Sequence, residues 1–346
     1  MAVKINLLDL FSGIGGFHLG LERAGFEINS YNSEIDKYAT QVYKHNFKNS
    51  KYVGSVTDVR GQELPRINGI TFGSPCQDFS LAGKRRGMSG ERSSLILEAI
   101  RLIKECRPDF FIWENVKGTF SSNNREDFAA ILQAFANIGG YRLEWQLLNT
   151  KWFLPQNRER IYLVGYIGDG STGQVFPIGE SVRENDDKIK VFAQPYQQIK
   201  INSATSKGYE EASIGDSINL SVPTSKTRRG RVGKGVAQTL DTHCNQAVIG
   251  YSRDNKGNVI SRHEKQECNT LHSSSGTGNN TDQFIRQNRI RRLTPIECER
   301  LQGFPDNWTK YGQSGEISDS QRYKMCGNAV TVDVVKEVAK RIKLVI

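Results

Sequence analysis

The 346-residue chain lacks the sequence features of several protein classes. Its six cysteines include no Cys-x-x-Cys pair, which argues against a zinc site and a disulfide framework and suits a reducing compartment. It contains no run of about 18 apolar residues, so the sequence predicts no membrane-spanning helix. The N-terminal segment becomes acidic at Asp9, too early for a signal peptide, and is typical of a first strand. We therefore expect a cytoplasmic protein with no metal and no membrane partner.

The chain does, in contrast, carry an excess of positive charge. The chain has 47 Lys and Arg residues against 37 Asp and Glu residues, a formal net charge of +10. This balance favours a polyanionic partner such as nucleic acid, although many basic proteins bind none. The hydrophobic content of 37% is that of an ordinary globular protein, and the length predicts two domains of unequal size.

The pattern along the chain divides it into two regions. Residues 1 to about 170 alternate apolar strands with amphipathic helices, which is typical of a mainly parallel sheet. After about residue 171 the chain becomes rich in Ser, Thr, Asn, Gly and Gln, with only short β-like segments. The last stretch, Thr331–Ile346, is apolar at helical spacing and should pack back on a core. The predicted strands are Lys4–Leu10, Glu27–Ser33, Ile67–Gly73, Phe110–Glu114, Glu144–Asn149 and Arg160–Tyr166; the predicted helices include Gly16–Ala24 and Ser93–Cys106.

Glycines follow the first predicted strand, in the run from Asp9 to Phe17. Glycine between a strand and a helix lets a ligand approach the backbone closely. Glu34 follows the second strand, where a carboxylate can bind ribose hydroxyls. Asp58 could accept a hydrogen bond from an adenine amino group, or it could cap a turn. The Gly-x-Gly-Gly spacing departs from the dinucleotide pattern Gly-x-Gly-x-x-Gly. A tight turn that needs glycine only for steric reasons is the alternative.

Cys76 lies where a strand ends and a loop begins, directly after Pro75. A single cysteine is usually a small buried hydrophobic residue. Here a polar, basic and glycine-punctuated stretch follows, from Ser80 to Arg92, which resembles a lid whose cations could touch phosphates. Positive charge near the thiol would also favour the reactive thiolate.

Glu114 ends a second apolar strand, about forty residues later, and should reach the same sheet edge. A carboxylate there needs a partner or a function, and the structural alternative is a bond to a nearby helix N-terminus. Arg158 and Arg160 alternate at strand spacing, so both should point the same way and could hold a carbonyl, a carboxylate or a phosphate. One salt bridge and one solvated arginine is the alternative.

The basic run Lys226–Lys234 contains no acid and suits phosphate contacts and guanine reading, although a solvated loop would look similar. Near the C-terminus, Thr294-Pro295 is a strong helix start. Cys298 on that helix is expected to be inert. Met325–Val330 opens the final helix with a loop that could face a ligand.

Taken together, these motifs resemble the DNA cytosine-5 methyltransferases of bacterial restriction–modification systems and phages. The resemblance covers residues 3–170 and 290–335 nearly continuously, and the intervening stretch falls where the family keeps its variable target-recognition domain. The matching segments, in the family's order, are Phe11–Gly16, Pro75-Cys76-Gln77, Glu114-Asn115-Val116, Gln156–Arg160, Arg292–Pro305 and Gly327-Asn328.

The resemblance implies an α/β fold: a Rossmann-like S-adenosylmethionine-dependent methyltransferase domain with a smaller, irregular β-rich target-recognition domain. The catalytic and cofactor-binding domain would span 1–172, completed by a C-terminal helix over 322–346. The recognition domain and hinge would span 173–321. We expect a monomer that acts on double-stranded DNA in a bacterial or phage-infected cell; a separately acting restriction endonuclease is left open.

The resemblance also implies the site residues, which fall into three groups. The catalytic group is Cys76, Glu114, Arg158 and Arg160. The group that binds S-adenosylmethionine is Phe11, Ser12, Gly13, Gly15, Gly16, Glu34, Ile35, Asp58, Val59, Pro75, Asn328 and Ala329. The DNA-contacting group is Ser80, Lys84, Arg85, Arg86, Arg228, Arg229, Arg231 and Thr270.

The chemistry of the residues agrees with this interpretation. Thiolate addition at C6 of cytosine would make C5 nucleophilic, and Glu114 at N3 would stabilise the developing charge. The base must leave the duplex stack for this to occur. The main alternative keeps the chemistry and acts on transfer RNA, although the long polar insertion favours duplex reading. A catalytically silent DNA-binding protein and an amino-group methyltransferase, which needs no thiol, are further alternatives.

Overall fold

The computed structural model describes residues 3–74, 93–121, 126–168, 173–179, 199–213, 215–219, 230–250 and 289–346. The chain forms two compact units. The first comprises 1–186, 241–243 and 295–346, and the second comprises 187–240 and 244–294. Among the described residues, no helix combines the length and the apolar character that crossing a membrane requires.

The first unit begins with alternating strands and helices. In chain order these are β1 Val3–Leu10, α1 Gly16–Arg23, β2 Phe26–Ser33, α2 Lys37–Asn46, β3 Lys51–Tyr52, β4 Gly69–Phe72, α3 Ser93–Cys106, β5 Phe110–Val116, α4 Gly118–Ser121, α5 Glu126–Ala136, β6 Arg142–Asn149, β7 Gln156–Asn157 and β8 Glu159–Tyr166, with 3-10 turns at Gly61–Glu63 and Thr150–Trp152.

The second unit is built from short strands: β9 Ile199–Asn202, β10 Tyr209–Ala212, β11 Ser217–Asn219, β12 Arg231–Gly233, β13 Ala237–Gln238, β14 Gln246–Gly250 and β15 Arg289–Arg292. β9 and β10 pair antiparallel, and an antiparallel sheet has the order β12-β11-β14-β15. Its described core is small and includes Ile201, Ala212, Ile218 and Ala247. The unit therefore has the β-rich, irregular character expected from its composition.

The chain then returns to the first unit with α6 Pro295–Leu301, β16 Tyr311–Gly312, β17 Gly315–Glu316, α7 Asp319–Asn328 and α8 Val332–Ile342. α8 packs on α1 so closely that a Cβ at Gly20 would lie 2.5 Å from Cγ1 of Val335. The predicted return of the C-terminal helix to the core is thus confirmed.

The central sheet has seven strands in the order β3-β2-β1-β4-β5-β8-β6. The first five strands are parallel, whereas β8 pairs antiparallel with both β5 and β6. The sheet is therefore mixed at one end, which the sequence pattern did not indicate. The strand order reverses between β1 and β4, so the loops that follow these strands lead to opposite sides of the sheet.

Two apolar layers cover the sheet because successive strand side chains point to opposite faces. Leu7 and Phe110 lie in one layer, which includes Val335 of α8. Leu8 and Phe111 lie in the other, with α3 and α5. Apolar residues on both faces account for the near-continuous hydrophobic runs of β1, β4 and β5.

All six predicted strands are confirmed, with end shifts of a few residues. The compact units are divided at other positions than the predicted domains, which stay a prediction: the described residues 173–179 and residues 295–321 group with the first unit. Glu144 of β6 explains part of the difference, because its carboxylate accepts hydrogen bonds from the backbone N–H groups of Val175 and Phe176 at 2.9 and 3.0 Å. Arg322 of α7 similarly holds α6 through a buried ion pair of 3.0 Å with Glu299.

Candidate active site at the carboxyl edge of the sheet

The reversal of strand order between β1 and β4 creates a crevice at the carboxyl edge of the sheet. In open α/β sheets, ligands bind at this position. The Phe11–Gly15 loop follows β1, and Gly73-Ser74 follow β4. The sequence motifs with the strongest chemical signals therefore meet at the edge where the topology forms a binding site.

The Phe11–Gly15 loop has a conformation that depends on glycine. Gly13 and Gly15 have φ angles of +53° and +86°, in the left-handed region, and Phe11 has a φ of +51°. A Cβ at Gly13 would meet no atom within 4 Å, so open space lies beside this backbone. Ser12 carries a buried hydroxyl without a hydrogen-bond partner among the described residues.

Glu34 holds this loop from the end of β2. One carboxylate oxygen accepts the N–H of Gly13 at 2.8 Å, and the other accepts the N–H groups of Ile35 and Asp36, both at 2.8 Å. Three backbone donors therefore fix the carboxylate beside the open space at Gly13. Ile35 is 81% exposed, which is unusual for a large apolar side chain next to a constrained carboxylate.

Asp58 and Val59 lie in the loop after β3, the strand beyond β2. Asp58 is exposed, and its Oδ1 accepts a hydrogen bond of 3.2 Å from the hydroxyl of Thr57. Val59 is buried in the layer under α3. Asp58 thus carries an exposed carboxylate in the segment that follows β3, the neighbour of β2 in the sheet.

The C-terminal segment 327–330 reaches the start of α1. Asn328 is exposed and Ala329 is buried. A Cβ at Gly16 would lie 2.6 Å from Cγ2 of Val330, so glycine allows the loop and the segment to touch. Residues that are about 310 positions apart in sequence therefore meet at one edge.

Ser74, which follows β4, is held by two residues of β5. The indole N–H of Trp113 donates to the Ser74 hydroxyl at 3.0 Å, and Asn115 Nδ2 lies 3.4 Å from both oxygens of Ser74. Asn115 is held in turn, because its Oδ1 accepts the Val116 N–H at 2.8 Å. Pro75 and Cys76 come next but lie outside the described residues.

Glu114 lies between the two anchoring residues of β5 and is 8% exposed. It faces Tyr162 in the antiparallel register of β5 and β8, which places Arg160 on the same face two residues away. Arg160 Nε lies 3.1 Å from Glu114 Oε1 as an ion pair. The contact lacks hydrogen-bond alignment, so Oε1 has no hydrogen-bond partner among the described residues.

Arg158 also lies near Glu114 and Arg160, but its hydrogen bonds go elsewhere. Its guanidinium donates to the carbonyl of Ala329 at 2.9 Å and reaches that of Gly327 at 3.4 Å. Burial, reinforced by the charge of Arg160, lowers the pKa of Arg158 to about 10, so it stays charged at neutral pH. The prediction that both arginines point towards one site agrees with their shared proximity to Glu114, but only Arg160 pairs with it.

Most of the residues predicted to contact DNA fall outside the described part of the chain, namely Ser80, Lys84, Arg85, Arg86, Arg228, Arg229 and Thr270. Arg231 is described; it begins β12, is exposed, and faces Asn219 in the register of β11 and β12. Cys298, expected to be inert, is fully buried.

Sequence reasoning missed the residues that hold the site together. Ser74 and Asn115 were not singled out, although each lies next to a residue that was. Asp9 was noted as the first acid of the chain and as the start of the glycine run, but not as a buried residue, and it is fully buried. An acid at the end of an apolar strand was the available signal, as it was for Glu114.

The whole chain matches one protein family. A family model described as C-5 cytosine-specific DNA methylase matches residues 5–344. The chain belongs to this family. It is thus a DNA (cytosine-5) methyltransferase, and the family assignment made from the motifs is confirmed.

Individual relatives agree over their full lengths. The chain is 31% identical to the type II methyltransferase M.Bsp6I of Bacillus sp. (strain RFL6), covering 98% of each chain. It is 33% identical to the type II methyltransferase M.FnuDI of Fusobacterium nucleatum, covering 98% of this chain and 94% of that one. The solved methyltransferase EhMeth of Entamoeba histolytica shares the fold, with a TM-score of 0.60, 17% identity and 98% coverage of each chain.

Proposed function

We propose that this methyltransferase transfers the methyl group of S-adenosylmethionine to C5 of a cytosine that is flipped out of a specific sequence in double-stranded DNA. The observation that carries the proposal is the Glu114–Arg160 pair. The pair lies at the sheet edge beside Ser74, and Ser74 is two residues before Cys76 in sequence. Oε1 of Glu114 makes no hydrogen bond among the described residues, so it is available to a ligand.

The described residues fit S-adenosylmethionine. The open space at Gly13 admits a ligand against the backbone, and the fixed carboxylate of Glu34 is suited to ribose hydroxyls. Exposed Ile35 offers an apolar surface to a flat adenine, and Asp58 offers an acceptor for its amino group. Phe11, Ser12, Gly15, Gly16, Val59, Asn328 and Ala329 would complete the site. When bound, this cofactor supplies an electrophilic methyl group.

The chain's own residues would prepare the cytosine. The Cys76 thiolate adds to C6, and the electron pair of the C5–C6 bond shifts into the ring towards N3. Glu114, in its protonated form, donates a proton or a strong hydrogen bond at N3, and Arg160 both holds Glu114 and suits the adjacent carbonyl oxygen. After C5 has gained its methyl group, a base takes the C5 proton, the electron pair of that C–H bond re-forms the C5–C6 double bond as the thiolate leaves C6, and the N3 proton returns to Glu114.

Arg158 would take a positioning role, because both of its described hydrogen bonds go to backbone carbonyls of the 327–329 segment. It would couple the strand that carries Arg160 to the segment that carries Asn328. This assignment separates the two arginines that the sequence pattern had grouped together.

The recognition function belongs to the second unit in this proposal. The similarity to type II methyltransferases supports a role in protecting one DNA sequence from a separate restriction endonuclease. Ser80, Lys84, Arg85 and Arg86 would contact phosphates. Arg228, Arg229, Arg231 and Thr270 would contact the target bases or their backbone, and a bidentate arginine–guanine contact would contribute about 1–3 kcal/mol of discrimination.

A methylation assay with labelled S-adenosylmethionine tests the proposal, with duplex DNA and transfer RNA as parallel substrates. We expect label in DNA alone, and bisulfite sequencing of DNA from expressing cells should reveal one methylated motif. Label confined to RNA would overturn the choice of substrate.

Cysteine variants test the covalent step. Cys76→Ala should lose methylation by several orders of magnitude, and duplex DNA containing 5-fluorocytosine should trap a covalent adduct on a denaturing gel. Cys106→Ala is the matched control, because burial, reinforced by Glu105, raises the pKa of this half-buried thiol to about 11. Near wild-type turnover of Cys76→Ala would reject covalent catalysis.

A further inference from the structure

A chain of buried polar side chains lies behind the Phe11–Gly15 loop and has no part in the chemistry proposed above. It starts at Asp9, the penultimate residue of β1, which is fully buried. Asp9 Oδ1 accepts the hydroxyl proton of Thr71 at 2.8 Å, and Asp9 Oδ2 lies 3.3 Å from the phenol oxygen of Tyr43. A buried acid without a cation beside it needs an explanation.

The chain continues from α2 to α1. The Tyr43 phenol oxygen lies 2.9 Å from Nδ1 of His18, and His18 Nε2 lies 3.2 Å from Oε1 of Glu22. His18 is buried and its ring stacks on Phe47 with 3.7 Å between centroids, so the imidazole has one fixed orientation. Glu22 is 43% exposed and ends the chain at the surface.

The number of protons available along this series of hydrogen bonds determines whether Asp9 is protonated. A carboxylate at Glu22 only accepts, so Nε2 of His18 must carry a proton. In a neutral imidazole Nδ1 is then an acceptor, and Tyr43 must donate its single proton to it. Tyr43 has no second proton for Asp9. A hydrogen bond between Asp9 and Tyr43 therefore requires Asp9 to be the donor.

The alternative state has an ionised Asp9 and a doubly protonated His18, with Tyr43 donating to Asp9. It would place two charges in the interior, separated by a phenol, at a large desolvation cost. The carboxylate of Glu34, already held by backbone N–H groups, adds repulsion to a second negative charge at Asp9.

The electrostatic surroundings agree with the proton count. Desolvation raises the pKa of Asp9 from 3.8 to about 8, against the opposing hydrogen bonds of Thr71 and Tyr43 and with a smaller contribution from Glu34. No further charged group hydrogen-bonds to Asp9 among the described residues: its partners are Thr71 of β4 and Tyr43 of α2, and Asn32, which lies opposite Asp9 on β2, is uncharged.

We propose that Asp9 is a neutral carboxylic acid that donates to Tyr43, and that the directed chain Asp9–Tyr43–His18–Glu22 positions the cofactor loop. These hydrogen bonds connect Asp9, two residues before the Phe11–Gly15 loop, to Tyr43 of α2. They also connect Tyr43 to His18 of α1, the helix that follows the loop. Asp9 is thus a positioning residue: it touches neither substrate nor cofactor, and it acts through the backbone of Phe11–Gly15. The cofactor part of this inference rests on the function proposed above.

The protonation state can be read directly in the wild-type protein. Long-range proton–nitrogen correlation spectra distinguish the neutral Nε2–H tautomer of histidine from the doubly protonated ring, and a His18→Gln variant assigns the signal among the five histidines. We expect the neutral Nε2–H tautomer at pH 7. A doubly protonated His18 would overturn the proposal, whether or not the protein methylates DNA.

A conservative variant tests the positioning role. Asp9→Asn keeps the shape of the neutral acid: its oxygen accepts from Thr71 and its N–H donates to Tyr43. Binding of S-adenosylhomocysteine, measured by calorimetry at pH 7, should stay within about threefold of wild type, whereas Tyr43→Phe should weaken it about tenfold. A loss of more than tenfold in a folded Asp9→Asn protein would mean that a negative charge is needed at Asp9 and would overturn the proposal.

The same measurement at higher pH separates the two proteins. As pH rises through about 8, wild-type Asp9 ionises and the direction of the hydrogen-bond chain is lost. A change in the protonation of S-adenosylhomocysteine affects both proteins equally, so it does not change the ratio of wild-type affinity to Asp9→Asn affinity. We expect this ratio to fall between pH 7 and 9. A constant ratio would contradict the proposal. If S-adenosylhomocysteine binds neither protein, the proposed cofactor fails, while the tautomer of His18 still decides the state of Asp9.

Discussion

Arg158 donates a hydrogen bond of 2.9 Å to the carbonyl oxygen of Ala329, although the two residues are 171 positions apart. This contact crosses from the start of β8 to the end of α7 and satisfies a carbonyl that a helix terminus leaves without a partner. Arg160 pairs instead with Glu114. The two arginines at the candidate site therefore have separate contacts, and we propose separate tasks for them.

The separation predicts different phenotypes for the two arginines. Arg158→Ala leaves two carbonyls unpaired and should lower the free energy of unfolding by about 3 kcal/mol, because a hydrogen bond to a charged group contributes about 1.5–3 kcal/mol. Urea denaturation measures this loss, and affinity for S-adenosylhomocysteine should fall with it. Arg66→Ala, which removes a half-exposed arginine from the same unit, is the control and should change cofactor affinity little. Unchanged cofactor binding in Arg158→Ala would refute the positioning role.

Asn115 should affect catalysis without affecting the cofactor. Its amide bridges Ser74, two residues before Cys76 in sequence, to the backbone after Glu114, and none of its described contacts involves the 11–15 loop. Asn115→Ala should therefore lower kcat by at least about tenfold, as expected when a group that positions a nucleophile is lost. Affinity for S-adenosylhomocysteine should stay near wild type. A parallel loss of both would show that Asn115 supports the whole sheet edge.

The sequence alone predicted the features that depend on local pattern. Apolar runs located the six main strands, and the spacing of Val334, Val335, Val338 and Ile342 located the last helix. The predictions for Glu114 and Arg160 followed from residue type and strand position, and the two residues do form a pair.

Features that depend on long-range pairing were not predictable in this way. β8 lies antiparallel beside β5, but a buried strand has the same apolar run in its sequence whether it runs parallel or antiparallel. The contact of Arg158 with Ala329 joins a segment that precedes the second unit in the sequence to one that follows it. The burial of Asp9 depends on Thr71 and Tyr43, which come from two other elements and carry no pattern that links them in sequence.

Asp9 also predicts a pH dependence of stability. Its pKa is raised from 3.8 to about 8 in the native state, so between these values the native state binds more protons than the unfolded state. Stability must then fall as pH rises over that range, with a slope of up to about 1.4 kcal/mol per pH unit. Asp9→Asn lacks this contribution, so its stability relative to wild type should increase from pH 5 to pH 8. Urea midpoints followed by tryptophan fluorescence measure the difference, and a difference that does not vary with pH would show that Asp9 is ionised in both states.

Two glycines in the same segment should separate stability from cofactor binding. A Cβ at Gly20 would lie 2.5 Å from Cγ1 of Val335, so Gly20→Ala overpacks the contact of α1 with α8 and should cost about 1–3 kcal/mol of stability. Gly13 has no atom within 4 Å of a Cβ position, and its left-handed φ of +53° should cost Gly13→Ala only about 1–2 kcal/mol.

The added methyl group at Gly13, however, enters the open space where the cofactor is proposed to bind. Gly13→Ala should therefore weaken S-adenosylhomocysteine binding by more than about tenfold at temperatures where the protein is fully folded. Gly20→Ala should bind nearly normally under the same conditions, since its methyl group faces α8. Calorimetric titration of both variants makes the comparison. If Gly13→Ala binds as tightly as wild type, the space beside Gly13 is not the cofactor site, and the proposed roles of Glu34 and Ile35 fail with it.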